Sequence, residues 1–303
     1  MPDWIWIPLV LAAAAAQTVR NAAQRNLTAT AGTLPATFVR FFYGLPFAAA
    51  GFLLVAMVSS GAPPSTSARF LAWIALGSIA QLVATAFLLA AMEQRSFIVA
   101  VAYSKTELVQ IVLYSIVLLG EEVSVATVVA IGLATAGVLL LSIKPAGDRT
   151  RTATSWVSPA AFLGLASGAC FALSAVGYRA ATLALPGASP PLAGTYAVLW
   201  GQAMQSLLLG GYLLLRDRVG LRQVLVQWRL SLLAGGMGSL ASMGWLTAFA
   251  MRSAADVRTV GLVEVLYGYA ISRRFFREAV SARELSAIAL IAAGIVLVSA
   301  MQR

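Results

Sequence analysis

The fold of this chain is decided by a stretch that occurs twice, as ELVQIVLYSIVLLGEEVSVATVVAIGLATAGVLLLS at residues 107–142 and as EVLYGYAISRRFFREAVSARELSAIALIAAGIVLVS at residues 264–299. Equivalent positions of the two copies keep one constant spacing along the chain. Four of the equivalent pairs are Glu107 and Glu264, Glu121 and Glu278, Gly137 and Gly294, and Ser142 and Ser299. Internal repeats of this size are typical of membrane proteins that consist of two structurally related halves.

The composition is that of an integral membrane protein. Of the 303 residues, 60% are hydrophobic and only 11% are charged, whereas a soluble domain has about 25% charged residues. The single cysteine, Cys170, excludes an intramolecular disulfide, and the lack of histidine argues against a His/Cys metal site, so no cofactor is expected. The net charge of +10 fits arginines at an anionic membrane surface better than binding to nucleic acid.

Ten stretches of the chain approach the length of about 20 mostly apolar residues that a membrane-spanning helix needs. Five lie in the first repeat, residues 1–145, and five in the second, residues 156–303, with residues 146–155 as the connecting loop. Because five is an odd number, the two halves should insert with opposite orientation. The predicted fold is an all-α membrane protein with ten transmembrane helices, arranged as two inverted five-helix repeats. The predicted spans are 4–28, 33–58, 69–91, 97–119, 124–143, 157–182, 190–215, 230–251, 257–273 and 283–301.

Basic residues predict the orientation of these helices. Twelve lysines and arginines lie in loops on one side of the predicted bundle and four on the other, which places the loops after spans 1, 3, 5, 7 and 9 in the cytoplasm. Both termini should then lie outside, in a multi-pass protein of the cell (inner) membrane. The acidic start Met1-Pro2-Asp3 is unlike a signal peptide, so residues 4–28 are predicted to remain as the first helix.

Polar residues follow one side of the first span. Gln17, Arg20, Asn21 and Gln24 recur at helical spacing, while the rest of this span is alanine and large aliphatic residues. Such a stripe is costly against lipid and should face protein or water. Hydrogen bonding between helices would explain the small polar residues, but an arginine deep in the span favours the lining of a substrate cavity.

The fourth span carries a second polar face. Tyr103, Glu107, Gln110 and Tyr114 are spaced by four, three and four residues, which aligns them on one side of a helix. A carboxylate between two phenols and an amide suits a small ligand with a cationic or aromatic part. A buried ion pair of Glu107 with an arginine would explain the same pattern. Lys105 lies nearly opposite Glu107 around this helix and should meet another helix or reach the membrane surface, so it is not counted in this site.

The ninth span presents a matching face around Glu264 and Tyr267, with Gly261 and Gly268 beside them. These glycines would permit close approach of a neighbouring helix or a ligand. Three further residues complete the set of substrate-binding candidates: Arg40 in the second span, Gln81 in the third and Tyr178 in the sixth. Helix packing alone would account for Gln81 and Tyr178.

The balance of charge inside the predicted spans indicates what kind of substrate would bind. Arg25 and Arg179 lie close enough to helix ends to reach the membrane surface. Without them, three basic residues face two carboxylates, which favours a substrate with a carboxylate or another anionic group. The two glutamates could also carry a coupling proton. The five residues in this balance are Arg20, Arg40, Lys105, Glu107 and Glu264.

Several motifs in this order resemble the EamA domain of the drug/metabolite transporter superfamily. The first copy has EQRS at 93–96, LLGE at 118–121, IG at 131–132 and GVLL at 137–140; the second has FRE at 276–278 and AAGIVL at 292–297, and VRF stands at 39–41. The resemblance implies an alternating-access carrier with a central cavity lined by spans 1, 3, 4, 6, 8 and 9. It gives Glu121 and Glu278 a capping or gating role. Many relatives begin with a basic, cytoplasmic N-terminus, unlike this chain.

These observations favour a secondary transporter that exports a small metabolite such as an amino acid or another carboxylated compound. Proton-coupled efflux of drugs or cations is the alternative, followed by lipid translocation. An enzyme is not expected, since the chain has no histidine, no paired aspartates and no cysteine-based dyad. The expected partners are a small-molecule substrate and the lipid bilayer, with the protein as a monomer or homodimer.

Overall fold

A computed structural model describes residues 4–59, 64–94, 100, 103–142, 159–276 and 282–300. These residues form helices and short connections, with no strand among them, which confirms the predicted all-helical class. The predicted connecting loop, residues 146–155, lies outside the described residues. The helices are α1 (Trp6–Ala31), α2 (Thr33–Phe42), α3 (Leu45–Val58), α4 (Ala68–Gln94), α5 (Glu107–Tyr114), α6 (Val125–Ser142), α7 (Pro159–Leu183), α8 (Pro190–Arg216), α9 (Arg218–Val226), α10 (Trp228–Met251), α11 (Ala254–Val260), α12 (Val263–Phe276) and α13 (Ala282–Ala300).

Helices of membrane-spanning length account for half of the predicted spans. Judged by length and composition, five helices of the described chain could cross a membrane: Thr33–Val58, which combines α2 and α3, and α4, α7, α8 and α10. Shorter apolar helices occupy Glu107–Leu119, Thr127–Gly137 and Ser286–Leu297. The helix α1 has 26 residues, but its polar stripe makes it less apolar than the five helices that could cross a membrane. The count of ten membrane spans therefore stays a prediction.

Proline positions behave as local chemistry predicts. The second span is divided, because α2 ends at Phe42 and α3 begins at Leu45, next to Pro46. Proline has no N–H for the helical ladder and clashes with the preceding turn, so it interrupts the helix there. Pro159 and Pro190, in contrast, begin α7 and α8, where the missing N–H has no helical partner to lose.

Two of the predicted spans contain a break that periodicity does not reveal. The fourth span turns at Lys105 and Thr106 before α5 begins, and the ninth turns at Gly261 and Leu262 between α11 and α12. At both turns the backbone bonds to the third residue back: the amide of Leu108 donates to the Lys105 carbonyl at 3.3 Å, and that of Glu264 to the Gly261 carbonyl at 3.0 Å. Both repeated glutamates thus lie in the first turn of a helix, where the helix dipole favours a negative charge.

Three helix pairs form most of the described bundle: α1 packs along α10, α4 along α7, and α6 along α13. The broken fourth span crosses α7 at Gly164 and Gly168. A methyl group at Gly168 would lie 2.8 Å from the Ser104 carbonyl oxygen and 3.1 Å from the Glu107 amide nitrogen. Only glycine lets the backbone of the break come this close.

Candidate functional site

Glu264 is the centre of a buried polar cluster to which three separate segments contribute. The Gln17 amide donates to one carboxylate oxygen at 2.7 Å, and the Asn21 amide donates to the other at 2.9 Å. Lys105 binds the first oxygen at 2.5 Å in a buried ion pair. The Trp245 indole then fixes Gln17 by donating to its carbonyl oxygen at 3.0 Å. The carboxylate is only 3% exposed, and its bonds compensate for the loss of water.

Glu107 occupies the equivalent place in the first repeat and faces two cations. One of its carboxylate oxygens lies 3.6 Å from Arg258 and 3.8 Å from Lys105. The Arg258 guanidinium lies over the Trp245 ring at 4.7 Å and near the Phe249 ring at 5.6 Å, so aromatic faces add to its stabilisation. Lys105 thereby bridges the two repeated glutamates.

Arg20 and Arg40 lie beside this cluster without a carboxylate partner among the described residues. Two nitrogens of Arg20 donate to the Asn21 side-chain oxygen, at 2.6 and 3.1 Å, while Nη1 has no hydrogen-bond partner. Arg40 donates to the Thr85 hydroxyl at 2.9 Å, and its Nε has no partner. Both side chains pack against Gly238 of α10, where a methyl group would lie 3.0 Å from Arg20 and 3.2 Å from Arg40.

A second, uncharged polar cluster lies between α4, α7 and α8. The Tyr178 hydroxyl donates to the Gln81 side chain at 3.1 Å and lies 3.3 Å from the Ser78 hydroxyl. The Gln205 amide donates to Gln81 at 3.1 Å and to the Ser78 carbonyl at 2.8 Å. Thr85, which binds Arg40, also donates to the Gln81 carbonyl at 2.8 Å. Thr85 therefore links Arg40 to the backbone of Gln81 at the edge of this cluster.

The remaining predicted site residues lie apart from the ionic cluster or play a packing role. Gln24 is fully buried and donates to the Ala36 carbonyl at 2.8 Å, which ties α1 to α2. Tyr103 is buried against Gly164 of α7. Gln110 and Tyr114 are half-buried on α5, and Tyr267 is half-buried on α12. The described hydrogen bonds of Glu264 come from other residues, namely Gln17, Asn21 and Lys105.

The void beside the cluster is much smaller than the predicted cavity. Its volume is about 10 Å³, and its lining includes Arg20, Lys105, Glu107, Arg258 and Glu264. A space of this size holds about one water molecule. The reason for the difference is that the ionic side chains meet one another and close the space between the helices. No cluster of ligating side chains suited to a metal ion occurs in the described part of the chain.

A larger cavity of about 590 Å³ lies elsewhere, between α1, α3, α8 and α10. Its lining is almost wholly apolar and includes Leu9, Leu54 and Met243. None of the predicted site residues borders it. A cavity of this character suits contact with apolar chains rather than recognition of a polar metabolite.

Two basic residues lie where the sequence did not place them. Lys105 meets another helix, as one of the two expectations for it required, by pairing with Glu264 of α12. It also lies 3.8 Å from Glu107, because the helix is broken at Lys105 and angular positions counted along a continuous helix do not apply there. Arg179, which was expected to reach the membrane surface, is instead bound to two other segments of the chain. Its Nε donates to Glu121 at 3.0 Å and its Nη1 to the Phe249 carbonyl at 2.5 Å, which connects three segments.

Arg258 is the main site residue that sequence reasoning missed, because it was counted among the external charges. The signal that would have found it is a helix start. Ser253 accepts a hydrogen bond from the Asp256 amide at 3.2 Å, so the helix begins at Ala254 and Arg258 falls inside the buried segment. A serine followed three residues later by an acidic residue is a typical N-terminal cap.

Comparisons with known proteins support this assignment of the fold and give the family. The model of the EamA-like transporter family matches residues 4–143. A solved structure, described only as the crystal structure of a protein, matches with a TM-score of 0.69 and 18% identity, over 98% of this chain and 97% of its own. No curated protein matches the chain. Residues 4–143 thus match the EamA-like transporter family of the drug/metabolite transporter superfamily, and this match together with the apolar helices indicates a multi-pass membrane protein.

Proposed function

We propose that this protein is an alternating-access secondary transporter that exports a small carboxylated metabolite, such as an amino acid, across the inner membrane. The observation that carries the proposal is the convergence of buried ionic side chains at two helix breaks. Glu107 and Glu264 begin half-helices there, and Lys105 and Arg258 pair with them. Discontinuous helices at the centre of a bundle are where transporters of several folds bind substrates.

The packing of the helices supports the proposed arrangement of ten spans as two inverted repeats. In the repeat alignment, α1 and α7 are equivalent, as are α10 and α4. Exchanging the halves therefore converts the α1–α10 contact into the α7–α4 contact, and it leaves the α6–α13 contact unchanged. A two-fold relation of this kind is what inverted halves around one central site require.

Transport requires that the closed cluster opens. A void of about 10 Å³ cannot hold a metabolite, so the helices must separate before a substrate reaches Glu264. The ion pairs then exchange partners: the substrate carboxylate binds the arginines, and its amine competes with Lys105 for the Glu264 carboxylate. The Glu264 carboxylate thus keeps a cation opposite it in both conformations, which keeps the barrier between them low.

The same charges disfavour the alternative of cation efflux. Glu107 and Glu264 are each already opposite a buried basic residue, and Arg20 and Arg40 add further positive charge nearby. A cationic drug would have to displace one of these cations and then remain next to the others. Like charges a few ångströms apart repel strongly in a low dielectric.

Flux through purified protein in liposomes tests the proposed function. Liposomes loaded with unlabelled amino or dicarboxylic acids are expected to accumulate the labelled compound by exchange, and the Glu264→Gln variant should exchange it at least about tenfold more slowly. Arg69→Gln, an exposed residue of α4, is the matched control and should exchange at the normal rate. Absence of exchange for every carboxylated compound tested would contradict the proposal.

A further inference from the structure

The buried charges of the site do not balance. Among the described residues, four basic side chains and two carboxylates lie in or beside the cluster, and all are at least nine-tenths buried. They are Arg20, Arg40, Lys105, Arg258, Glu107 and Glu264. The site therefore holds an excess of two positive charges. Arg258, which the sequence alone counts outside the membrane, raises the excess from one positive charge to two.

The existing ion pairs show which cations lack compensation. Glu264 pairs with Lys105, and Glu107 pairs with Arg258 and, at a longer distance, with Lys105. Both carboxylates are thus in use. Arg20 and Arg40 are the described cations of the cluster that have no carboxylate within 4.0 Å. Arg20 Nη1 and Arg40 Nε are also buried without any hydrogen-bond partner.

The two unpaired arginines lie next to each other. Both side chains contact the same point above Gly238 of α10, within 3.5 Å of the position that a Cβ atom would take. Arg20 also borders the small void that Lys105 and Glu264 line. The methylene stems of Arg20 and Arg40 thus meet at α10, so an anion that entered between the helices at this place would be within reach of both side chains.

An unpaired guanidinium in the interior of a membrane protein is costly, and two adjacent ones repel each other. The planar donor forks of arginine match carboxylate and phosphate oxygens, with two hydrogen bonds to each group. A zwitterionic amino acid brings no net charge, so it would leave the excess unchanged. A substrate with two negative charges would cancel it.

We infer, on the basis of the proposed transport function, that the substrate is a doubly charged anion, and that Arg20 and Arg40 together bind its acidic groups. Its chemical class is a dicarboxylate or a phosphate monoester. Both classes carry two negative charges on oxygens that guanidinium groups bind, two carboxylates in one and a single phosphate group in the other. Glu264 remains paired with Lys105 when such a substrate binds.

Exchange in liposomes with three labelled probes tests this inference. Succinate or glycerol 3-phosphate should exchange at least about tenfold faster than leucine, the factor expected for one additional ionic interaction of ordinary strength. Whichever of the two is faster identifies the class. Arg20→Gln and Arg40→Gln should each remove this preference, whereas the exposed control Arg69→Gln should keep it.

The outcomes separate the inference from the function on which it rests. Leucine exchanging as fast as the two dianions, or faster, would overturn the inference and leave the transport function standing. Lack of exchange for all three probes would count against both. If the glutamine variants do not fold, the thermal shift of the wild-type protein in detergent decides: stabilisation by a dianion but not by leucine supports the inference, and the reverse order overturns it.

Discussion

At the scale of single residues, the site shows how charged side chains are accommodated inside a membrane protein. Glu264 accepts bonds from Gln17, Asn21 and Lys105, so each of its oxygens has a donor. Satisfying a buried carboxylate in this way removes the cost of taking it out of water. Its partners then depend on it, because any one of them left alone would be a buried group without compensation.

This dependence predicts a strong coupling between Glu264 and Lys105. Glu264→Gln keeps the volume but leaves the Lys105 ammonium group with only its longer, 3.8 Å contact to Glu107, and we expect a loss of about 3 kcal/mol in the free energy of unfolding. Lys105→Met added to this variant removes the orphaned charge and should restore much of the loss. Thermal unfolding in detergent measures the cycle, with Glu107→Gln, whose ion pairs are longer, as the milder comparison. Additive effects of the two changes would contradict the coupling.

The sequence predicted part of this cluster and could not predict the rest. The stripe of the first span correctly brought Gln17, Arg20 and Asn21 to one face, because α1 is continuous and helical periodicity applies to it. The positions of Lys105 and Arg258 in the cluster were not predicted, because each residue lies near a helix end that periodicity does not show. Whether the predicted residues bind substrate stays a prediction.

At the scale of helices, the two breaks depend on close packing rather than on local sequence alone. The break in the fourth span is held against α7 by Gly164 and Gly168, with the Ser104 carbonyl above Gly168. No proline or glycine within residues 103–107 signals it. Tertiary contact therefore overrides an apolar pattern that reads as one helix, which is why the sequence predicted an unbroken span.

A single methyl group should disturb this contact. In Gly168→Ala the added Cβ would lie 2.8 Å from the Ser104 carbonyl oxygen, so the backbone must shift. We expect a destabilisation of about 1–3 kcal/mol, typical of overpacking, together with slower transport. Gly211→Ala on α8 is the matched control, since nothing lies within 4 Å of its Cβ. Equal unfolding temperatures of the two variants would show that the break does not depend on this contact.

The Arg179–Glu121 ion pair is a candidate gate between segments. It connects α7 to the segment after Leu119, and Arg179 also binds the Phe249 carbonyl at the end of α10. This places Glu121 in a position that fits the gating role implied by the family resemblance. By contrast, Glu278 lies outside the described residues.

If this ion pair keeps the bundle closed, then weakening it should expose the site. Glu121→Gln removes the charge, and a pair worth about 1 kcal/mol would increase the open population about fivefold. The rate of labelling by a water-soluble maleimide at Ser104→Cys, in a Cys170→Ser background, reports this opening. Glu122→Gln, the exposed neighbour, is the control. Equal labelling rates in the two variants would exclude a gating role.

At the scale of the whole molecule, the internal repeat was the most informative feature of the sequence. It predicted an all-helical chain in which the ninth span corresponds to the fourth, and α11 and α12 lie at the position of the ninth span. The helix pairs of the two halves follow the same relation. What the repeat could not predict is how far the halves close, because that depends on the ion pairs between them and not on the helix pattern.

The proposed inverted topology leads to a test that involves the entire chain. Five spans per half place residue 150 and the C-terminus on opposite sides of the membrane, with residue 150 in the cytoplasm, as the distribution of basic residues indicates. A fluorescent protein that matures only in the cytoplasm should therefore fluoresce when fused after Thr150 and stay dark when fused after Arg303. An alkaline phosphatase reporter, active only outside, should give the reverse pattern.

Two fusions that report the same side would mean an even number of spans between them, which is incompatible with inverted halves. If the fusion after Thr150 stays dark and the fusion after Arg303 fluoresces, then the halves are inverted but the termini lie inside. In that case the arginines of the loops do not determine the orientation.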